Sequence, residues 1–188
     1  MSFEKLFHTT SPGDLAIVTG LVDLLHERFK PPITIIEVGC WVGETTRELA
    51  RSPDHLVYCV DNFCGNATGL VPGEALLKTI AEAHTPHGIL KIFAQNMEGR
   101  FLRNIMPCMG TSDFWREIWP FPVHLIFIDA DHSYSAVKKD LGWWDHVLPG
   151  GILCGHDYYS FPGVRQAVDE SEFGCDGVEG EVWWKNKK

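Results

Sequence analysis

The sequence predicts a three-layer α/β/α fold, a mostly parallel central sheet with helices on both faces. Three observations carry this. Apolar, β-branched runs recur at 33–38, 55–60 and 123–128, with the composition of strands buried on both faces. Segments with helical spacing and capping residues lie between them. Strand and helix therefore alternate along the chain, the pattern of an α/β protein. With 188 residues, 45% of them hydrophobic and 22% charged, the chain is sized for a single domain over 1–188.

Ser11-Pro12-Gly13-Asp14 starts the first helix, predicted over 11–30. Ser is the cap, Pro takes the first helical position, and an acid follows three residues after the cap. Leu15, Val18, Val22, Leu25 and Phe29 form one apolar stripe suited to covering a sheet. Pro31-Pro32 ends the helix and delivers the chain to the first strand at Ile33.

That strand runs into Glu37-Val38-Gly39-Cys40-Trp41-Val42-Gly43, followed by a helix from Glu44 to Ala50. Strand, glycine turn and helix open a nucleotide-binding unit. Gly39 permits a tight turn with positive φ, and Gly43 permits close backbone approach. The spacing is not that of a phosphate loop, which needs Gly-Lys-Ser/Thr, nor of the G-x-G-x-x-G dinucleotide turn. No Lys or Arg occurs between Lys30 and Arg47, while Glu37 and Glu44 flank the loop. The loop suits a ligand that is neutral or cationic where it meets it, such as S-adenosyl-L-methionine.

His55 to Val60 is the second strand, ending at Asp61 and Asn62. An acid about 20 residues beyond the glycine turn is placed to bind a ribose diol; its bland reading is a turn or cap aspartate. Residues 62–87 read as a loop with a short helix over 73–84, either a lid insertion or a plain connector. Gly88 to Ala94 is predicted as the third strand, ending in Gln95-Asn96-Met97 beside an adenine. Asn96 is then the cap of a helix with Met97, Phe101 and Ile105 inward. In 107–122, a second possible lid, a short piece capped by Ser112 carries Phe114, Trp115, Trp119 and Phe121, as core, subunit interface or substrate wall.

Val123 to Ile128 is the fourth strand. It ends in Asp129-Ala130-Asp131-His132, at the strand edge where ligands bind in open α/β sheets. A helix from Ser133 to Val147 follows, closed by Pro149-Gly150-Gly151. Ile152 to Gly155 is a fifth strand ending in His156-Asp157-Tyr158-Tyr159. Pro162 begins a further helix through Glu170, and Glu181 to Lys185 is a final strand.

A net charge of −9 with no basic stripe argues against nucleic acid or an anionic membrane as partner. No apolar run approaches the roughly 18 residues of a membrane span. The six cysteines show no C-x-x-C pairing and read as reduced thiols of a cytoplasmic protein.

Taken together, Glu37 to Gly43, Asp61, Ile128-Asp-Ala-Asp-His-Ser-Tyr134, Leu148-Pro-Gly-Gly151 and Gly155-His-Asp-Tyr158 resemble the class I S-adenosylmethionine-dependent methyltransferases. Within that family they look most like the small branch that includes macrolide sugar O-methyltransferases. The resemblance implies a Rossmann-like methyltransferase fold with a mostly parallel sheet. It implies that Glu37, Gly39 and Gly43, with Cys40 and Trp41 between them, hold the methionine part of the cofactor. Asp61 and Asn62 would take the ribose side, and Asn96, Met97 and Asp129 would complete the site. In metal-dependent relatives the aspartate matching Asp129 and an acidic or amide pair after the next strand bind Mg²⁺. The pair here is His156-Asp157, and an imidazole suits a transition metal better than Mg²⁺. His132 matches the base proposed for the sugar methyltransferases.

The chemistry agrees with that reading. Methyl transfer needs an aligned hydroxyl that loses its proton, and a positioned histidine is typically worth about 10²–10⁴-fold. The implied enzyme is an O-methyltransferase of a hydroxylated small molecule, with His132 and Asp129 as catalytic residues and Asp129, His156 and Asp157 as ligands of a divalent metal. Two other readings stand beside it: a non-catalytic cofactor-binding or scaffolding protein, with a homo-oligomer interface at 114–121, and an iron site at Asp129 and His156. Locally, Asp131-His132 also reads as a helix cap, and His156 as support for the Asp157 loop.

Overall fold

A computed structural model describes residues 10–64, 88–97 and 103–188. In chain order it contains α1 (Pro12–Arg28), β1 (Ile33–Val38), α2 (Glu44–Leu49), β2 (His55–Asp61), α3 (Gly88–Asn96), β3 (Ile105–Met109), α4 (Ser112–Ile118), β4 (Val123–Ile128), α5 (Tyr134–Asp140), a 3-10 helix (Leu141–His146), β5 (Val147–Gly155), α6 (Pro162–Asp169), β6 (Gly177–Glu179) and β7 (Val182–Asn186). The seven strands form one sheet in the order β3-β2-β1-β4-β5-β7-β6. β1 to β5 pair in parallel, and only β7 against β5 and β6 against β7 are antiparallel.

Side-chain alternation sorts the strands onto two cores. Ile33 and Ile35, Leu125 and Phe127, and Ile152 and Cys154 join α1, α2 and α3 on one face. Ile36 and Val38, Ile126 and Ile128, and Leu153 join α5, the 3-10 helix and α6 on the other. Because both faces are covered, the strands read as continuous apolar runs rather than alternating ones. The α1 cap is as expected: Ser11 Oγ accepts from Asp14 N at 3.1 Å.

The third strand is a correction. Gly88–Asn96 is helix α3, not a strand. Ile89, Ile92 and Phe93 are its buried apolar side chains, the i, i+3, i+4 spacing of one helical face, with buried Met97 just past its end; Leu90 beside them gives the stretch the ambiguity of short apolar segments. The true third strand is Ile105–Met109, which spans the predicted end of a helix at Ile105 and the start of the 107–122 segment, and Pro107 inside it masks its strand character. β3 is the sheet edge, where a proline costs no ladder hydrogen bond. Ile105 is therefore a strand residue paired with Val57, not a helix contact.

Smaller differences follow. Thr111, not Ser112, caps α4, its side chain accepting from Phe114 N at 3.3 Å. The segment after Ser133 tightens into a 3-10 turn at Leu141, and β5 begins at Val147. The helix predicted over 73–84 and most of the 62–87 insertion lie outside the described residues. No described helix is long and apolar enough to cross a membrane.

Candidate functional site

Hydrogen bonds that prolong the ladder past the strand ends build the rim of the site. Gly39 N donates to Val60 O, Asp129 N to Val38 O, His156 N to Ile128 O and Gly110 N to Asp61 O, at 2.8–3.1 Å. These bonds set the ends of β2, β1, β4 and β5 side by side at the carboxyl edge. Strand order reverses between β1 and β4, the switch point at which α/β sheets open a crevice. A cleft of about 480 Å³ opens there, lined by Gly39, Trp41, Asp61, Asn62, Asp129 and residues of the β3–α4 turn.

The glycine loop is shaped by Asp61. Its Oδ2 accepts from Cys40 N at 2.8 Å and Trp41 N at 2.9 Å, and its Oδ1 from Phe63 N at 2.6 Å. Burial raises the Asp61 carboxyl, and these three amides oppose that rise. The amides hold both carboxylate oxygens at the cleft wall. Gly39 has φ +89, and a Cβ there would lie 2.1 Å from Asp129 O. The loop thus lies against the end of β4 because residue 39 has no side chain.

Glu37 does not line the cleft. It points to the α1–α2 face, is fully buried, and accepts a short hydrogen bond from Thr46 Oγ1. Burial pushes its carboxyl up to about 8, so it is neutral at pH 7. Cys40 and Cys59 converge on it, and burial raises both thiols. Three protonated groups in a closed space suit packing beneath the loop rather than a cation. All six cysteines are free thiols.

Asn96 and Met97 are not at a strand end. Asn96 Nδ2 donates to Val42 O at 2.7 Å, and Met97 lies under Gly43, so both brace the glycine loop from behind. The cleft residues at the end of the true third strand are Gly110, Thr111, Ser112 and Asp113. Sequence reasoning missed them with the strand, although Gly-Thr-Ser-Asp before a helix is a legible turn and cap signal. Ser112 Oγ accepts from Trp143 Nε1 at 2.8 Å. Beside it the Asp140 carboxyl is raised by burial to about 6, against a hydrogen bond with Ser112. Within 107–122, Trp119 is buried, whereas Phe114, Ile118 and Phe121 are exposed. The start of the segment belongs to the cleft and its outer side is an apolar surface.

At one end of the cleft the titratable groups gather. His132 Nε2 lies 2.8 Å from Asp157 Oδ2 and 3.8 Å from Asp129 Oδ1, and its ring stacks on Phe161 at 4.1 Å. Burial lowers the His132 imidazole, but the two carboxylates prevail and hold it at about 10. Asp157 has φ +63 and is held well below the usual carboxylate range by both histidines against the effect of burial. His156 Nδ1 lies 3.3 Å from Asp157 Oδ1, and its Nε2 lies 3.5 Å from Asp14 Oδ2. Donor atoms of Asp129, His156 and Asp157 fall within 4.8 Å of one another. Asp131 instead closes a turn ahead of α5, accepting from Ser133 N at 2.7 Å, while Ser133 itself caps the helix. The residues read as acid–base and metal-binding candidates are thus brought together, with Asp129 reaching both the cleft and the cluster.

A family model described as a methyltransferase domain matches residues 36–158. Among solved structures, the O-methyltransferase NovP is 18% identical with a TM-score of 0.62, over 92% of this chain and 78% of that one. A TDP-rhamnose 3'-O-methyltransferase of calicheamicin biosynthesis is 16% identical with a TM-score of 0.56, over 94% and 80%. A putative caffeoyl-CoA O-methyltransferase from Staphylococcus aureus is 14% identical with a TM-score of 0.63, over 95% and 85%. At these identities the structural likeness is one of fold.

Proposed function

The chain belongs to the methyltransferase-domain family and is an S-adenosylmethionine-dependent methyltransferase; we propose that it methylates a hydroxyl group of a small molecule. The observation that carries this reading is Asp129, which lines the cofactor cleft and also faces His132 at 3.8 Å. One carboxylate thereby joins the place where the donor lies to the place where a hydroxyl must lose its proton.

In this reading the Gly39–Gly43 loop, with Cys40 and Trp41, follows the methionine part of the cofactor. Asp61 and Asn62 take the ribose, and the Gly110–Asp113 turn takes the base. Glu37, Asn96 and Met97 support the loop instead of touching the cofactor. The reaction is an in-line displacement: the acceptor oxygen forms a bond to the methyl carbon as the sulfur–carbon bond breaks. No covalent bond to the protein is needed, so the chain acts by alignment, worth up to about 7–11 kcal/mol, and by removing a proton.

His132 is the candidate base. Asp157 orients its ring through the 2.8 Å contact, and Phe161 holds the ring flat. With two carboxylates facing it His132 keeps its proton at neutral pH, so base catalysis requires conditions that release it. The donor set of Asp129, His156 and Asp157 fits a divalent ion, since the donors converge within 4.8 Å and include one imidazole. Such an ion would lower the pKa of a bound hydroxyl. Its two carboxylates and one nitrogen suit a transition ion more than Mg²⁺.

A net charge of −9 argues against nucleic acid as the acceptor, and the free thiols suit a reducing, cytoplasmic setting. The exposed Phe114, Ile118 and Phe121 support a subunit interface on α4. The test is methyl transfer from labelled S-adenosylmethionine to sugars, phenols and polyketide alcohols, with and without exhaustive chelation. A methylated hydroxyl product is expected. Tight cofactor binding with no acceptor turned over would favour a binding protein, and turnover indifferent to chelation would remove the metal.

A further inference from the structure

Asp14 is more buried than its helix position explains. As the third residue after the Ser11 cap it belongs to the first turn of α1, where acids normally meet solvent and the helix dipole. Here the residue is 7% exposed. Burying a carboxylate is costly unless its oxygens are engaged, and the cap itself is already supplied by Ser11 Oγ accepting from Asp14 N. Three separate segments engage the Asp14 carboxylate. Ser11 Oγ donates to Oδ2 at 2.6 Å, Glu181 N in the β6–β7 turn donates to Oδ1 at 2.9 Å, and His156 Nε2 lies 3.5 Å from Oδ2. Gly180 is glycine where the carboxylate passes: a Cβ there would lie 2.2 Å from Asp14 Oδ1.

The other end of this contact is the residue by which the site departs from an all-oxygen donor set. His156 is 7% exposed, and its Nε2 is a buried imidazole nitrogen without a hydrogen bond among the described residues. Its Nδ1 faces Asp157 Oδ1 at 3.3 Å, and the residue shares with Asp157 and Asp129 a donor set whose atoms lie within 4.8 Å of one another. An imidazole that ligates an ion through one nitrogen commonly directs its other N–H at a carboxylate, which fixes tautomer and ring orientation. Asp14 stands where that carboxylate is required.

We propose that Asp14 is a positioning residue for the metal centre: it directs the Nε2–H of His156 outward, so that Nδ1 joins Asp129 and Asp157 as the nitrogen ligand of a divalent transition ion. This inference rests on the metal reading above and adds to it a donor support contributed by the start of α1. It also gives His156 a reason to be histidine. A carboxylate at 156 would face Asp14 as a like charge, whereas an imidazole bridges Asp14 and the ion.

The test uses the full chain stripped of metal and titrated with Co²⁺, followed by its visible d–d absorption, with Mg²⁺ as competitor. The wild-type protein should bind Co²⁺ at least tenfold more tightly than Mg²⁺. Asp14→Asn should weaken Co²⁺ binding about 10–100-fold, and Asp14→Glu should recover part of it. Ser11→Ala removes the cap and one bond to Asp14 Oδ2 while leaving the carboxylate beside His156, so it should lower stability and weaken Co²⁺ binding clearly less than Asp14→Asn does. His156→Asp decides without any change at Asp14: its preference should move toward Mg²⁺, and adding Asp14→Asn to it should no longer weaken binding. Unchanged Co²⁺ affinity in Asp14→Asn, an equal loss in Ser11→Ala, or a retained Co²⁺ preference in His156→Asp overturns the proposal. If the wild-type protein binds neither ion, the metal reading itself falls, and this inference with it. S-adenosylmethionine affinity, measured on the same samples, separates that outcome from failure of the methyltransferase reading.

Discussion

His132 Nε2 lies 2.8 Å from Asp157 Oδ2, a contact that ties the end of β4 to the end of β5 beside the cleft at the carboxyl edge of the sheet. The imidazole is raised to about 10 by Asp157 and Asp129 in spite of burial, against about 6.5 in an unfolded chain. A raised folded value means that the contribution to stability is complete below pH 6.5 and fades as pH rises through about 10. The stability difference between wild type and His132→Gln, from urea unfolding, should shrink between pH 6.5 and 10. A difference constant across that range would show that the pair does not form.

The same contact sets the expected kinetics. His132→Ala should lower kcat by about 10²–10⁴-fold, the usual worth of a positioned base, while cofactor affinity by calorimetry stays within twofold. Because His132 must be neutral to accept a proton, kcat/KM should climb on the alkaline side of neutrality, and Asp157→Asn should move that limb to lower pH. Unchanged turnover in His132→Ala removes it from the mechanism.

Asp61 should matter twice over, as a ligand and as the clasp of the glycine loop. Its carboxylate accepts from Cys40 N, Trp41 N and Phe63 N, and hydrogen bonds to charged groups contribute about 1.5–3 kcal/mol each. Asp61→Ala should raise the dissociation constant of S-adenosylmethionine by more than tenfold and lower the unfolding midpoint. Asp61→Asn keeps one oxygen and should fall between. Wild-type cofactor affinity in Asp61→Ala would detach the ribose role from this residue.

Much of this site was legible because its residues sit at strand ends that the sequence marks clearly. Gly39, Asp61, Asp129 and Asp157 each follow an apolar run, and parallel pairing aligns the ends of such runs. What was not legible depended on tertiary context. Pro107 argues against a strand unless the strand is known to be the sheet edge, and the cleft turn Gly110–Asp113 was hidden with it. Met97 and Asn96 were misassigned because the short stretch 89–93, four apolar residues interrupted by Lys91, fits either period. The Asp14–His156 contact joins positions 142 apart in sequence; the acid at 14 has a sufficient local explanation as a cap, so nothing local points across the fold.

Gly39 offers a steric test of the loop. Alanine there would suffer the left-handed backbone cost at φ +89 and place its Cβ 2.1 Å from Asp129 O. Gly174 is the control: its φ is +59, but a Cβ there meets nothing within 4 Å. Gly174→Ala should cost about 1 kcal/mol, the backbone term alone. Gly39→Ala should cost clearly more and abolish measurable cofactor binding, since neither backbone can withdraw without breaking the Asp129 N to Val38 O bond. Equal costs for the two variants would mean that the loop does not lie against β4 as described.

Away from the site, His26 and His55 make a second pH dependence of opposite sign. His55 Nδ1 lies 2.6 Å from Leu49 O, which can only accept, so Nδ1 carries the proton. Nε2 of the neutral ring is then an acceptor, and His26 Nε2–H donates to it at 2.8 Å. Burial, and after it the nearby His26 and Arg51, lower the His55 imidazole, although its bond to Leu49 and the charge of Asp23 oppose this. A histidine kept neutral by folding stabilises the protein above its unfolded pKa near 6.5, and that stabilisation is lost as pH falls from there toward the lower folded value. Wild type should therefore lose stability between pH 7 and 5 beyond what a His55→Gln variant loses. His26→Ala should cost about 1 kcal/mol at pH 7, the net worth of one hydrogen bond, and less once the pH is low enough to protonate His55, which then no longer accepts. Parallel pH curves for wild type and His55→Gln would show that this pair does not govern the acid limb.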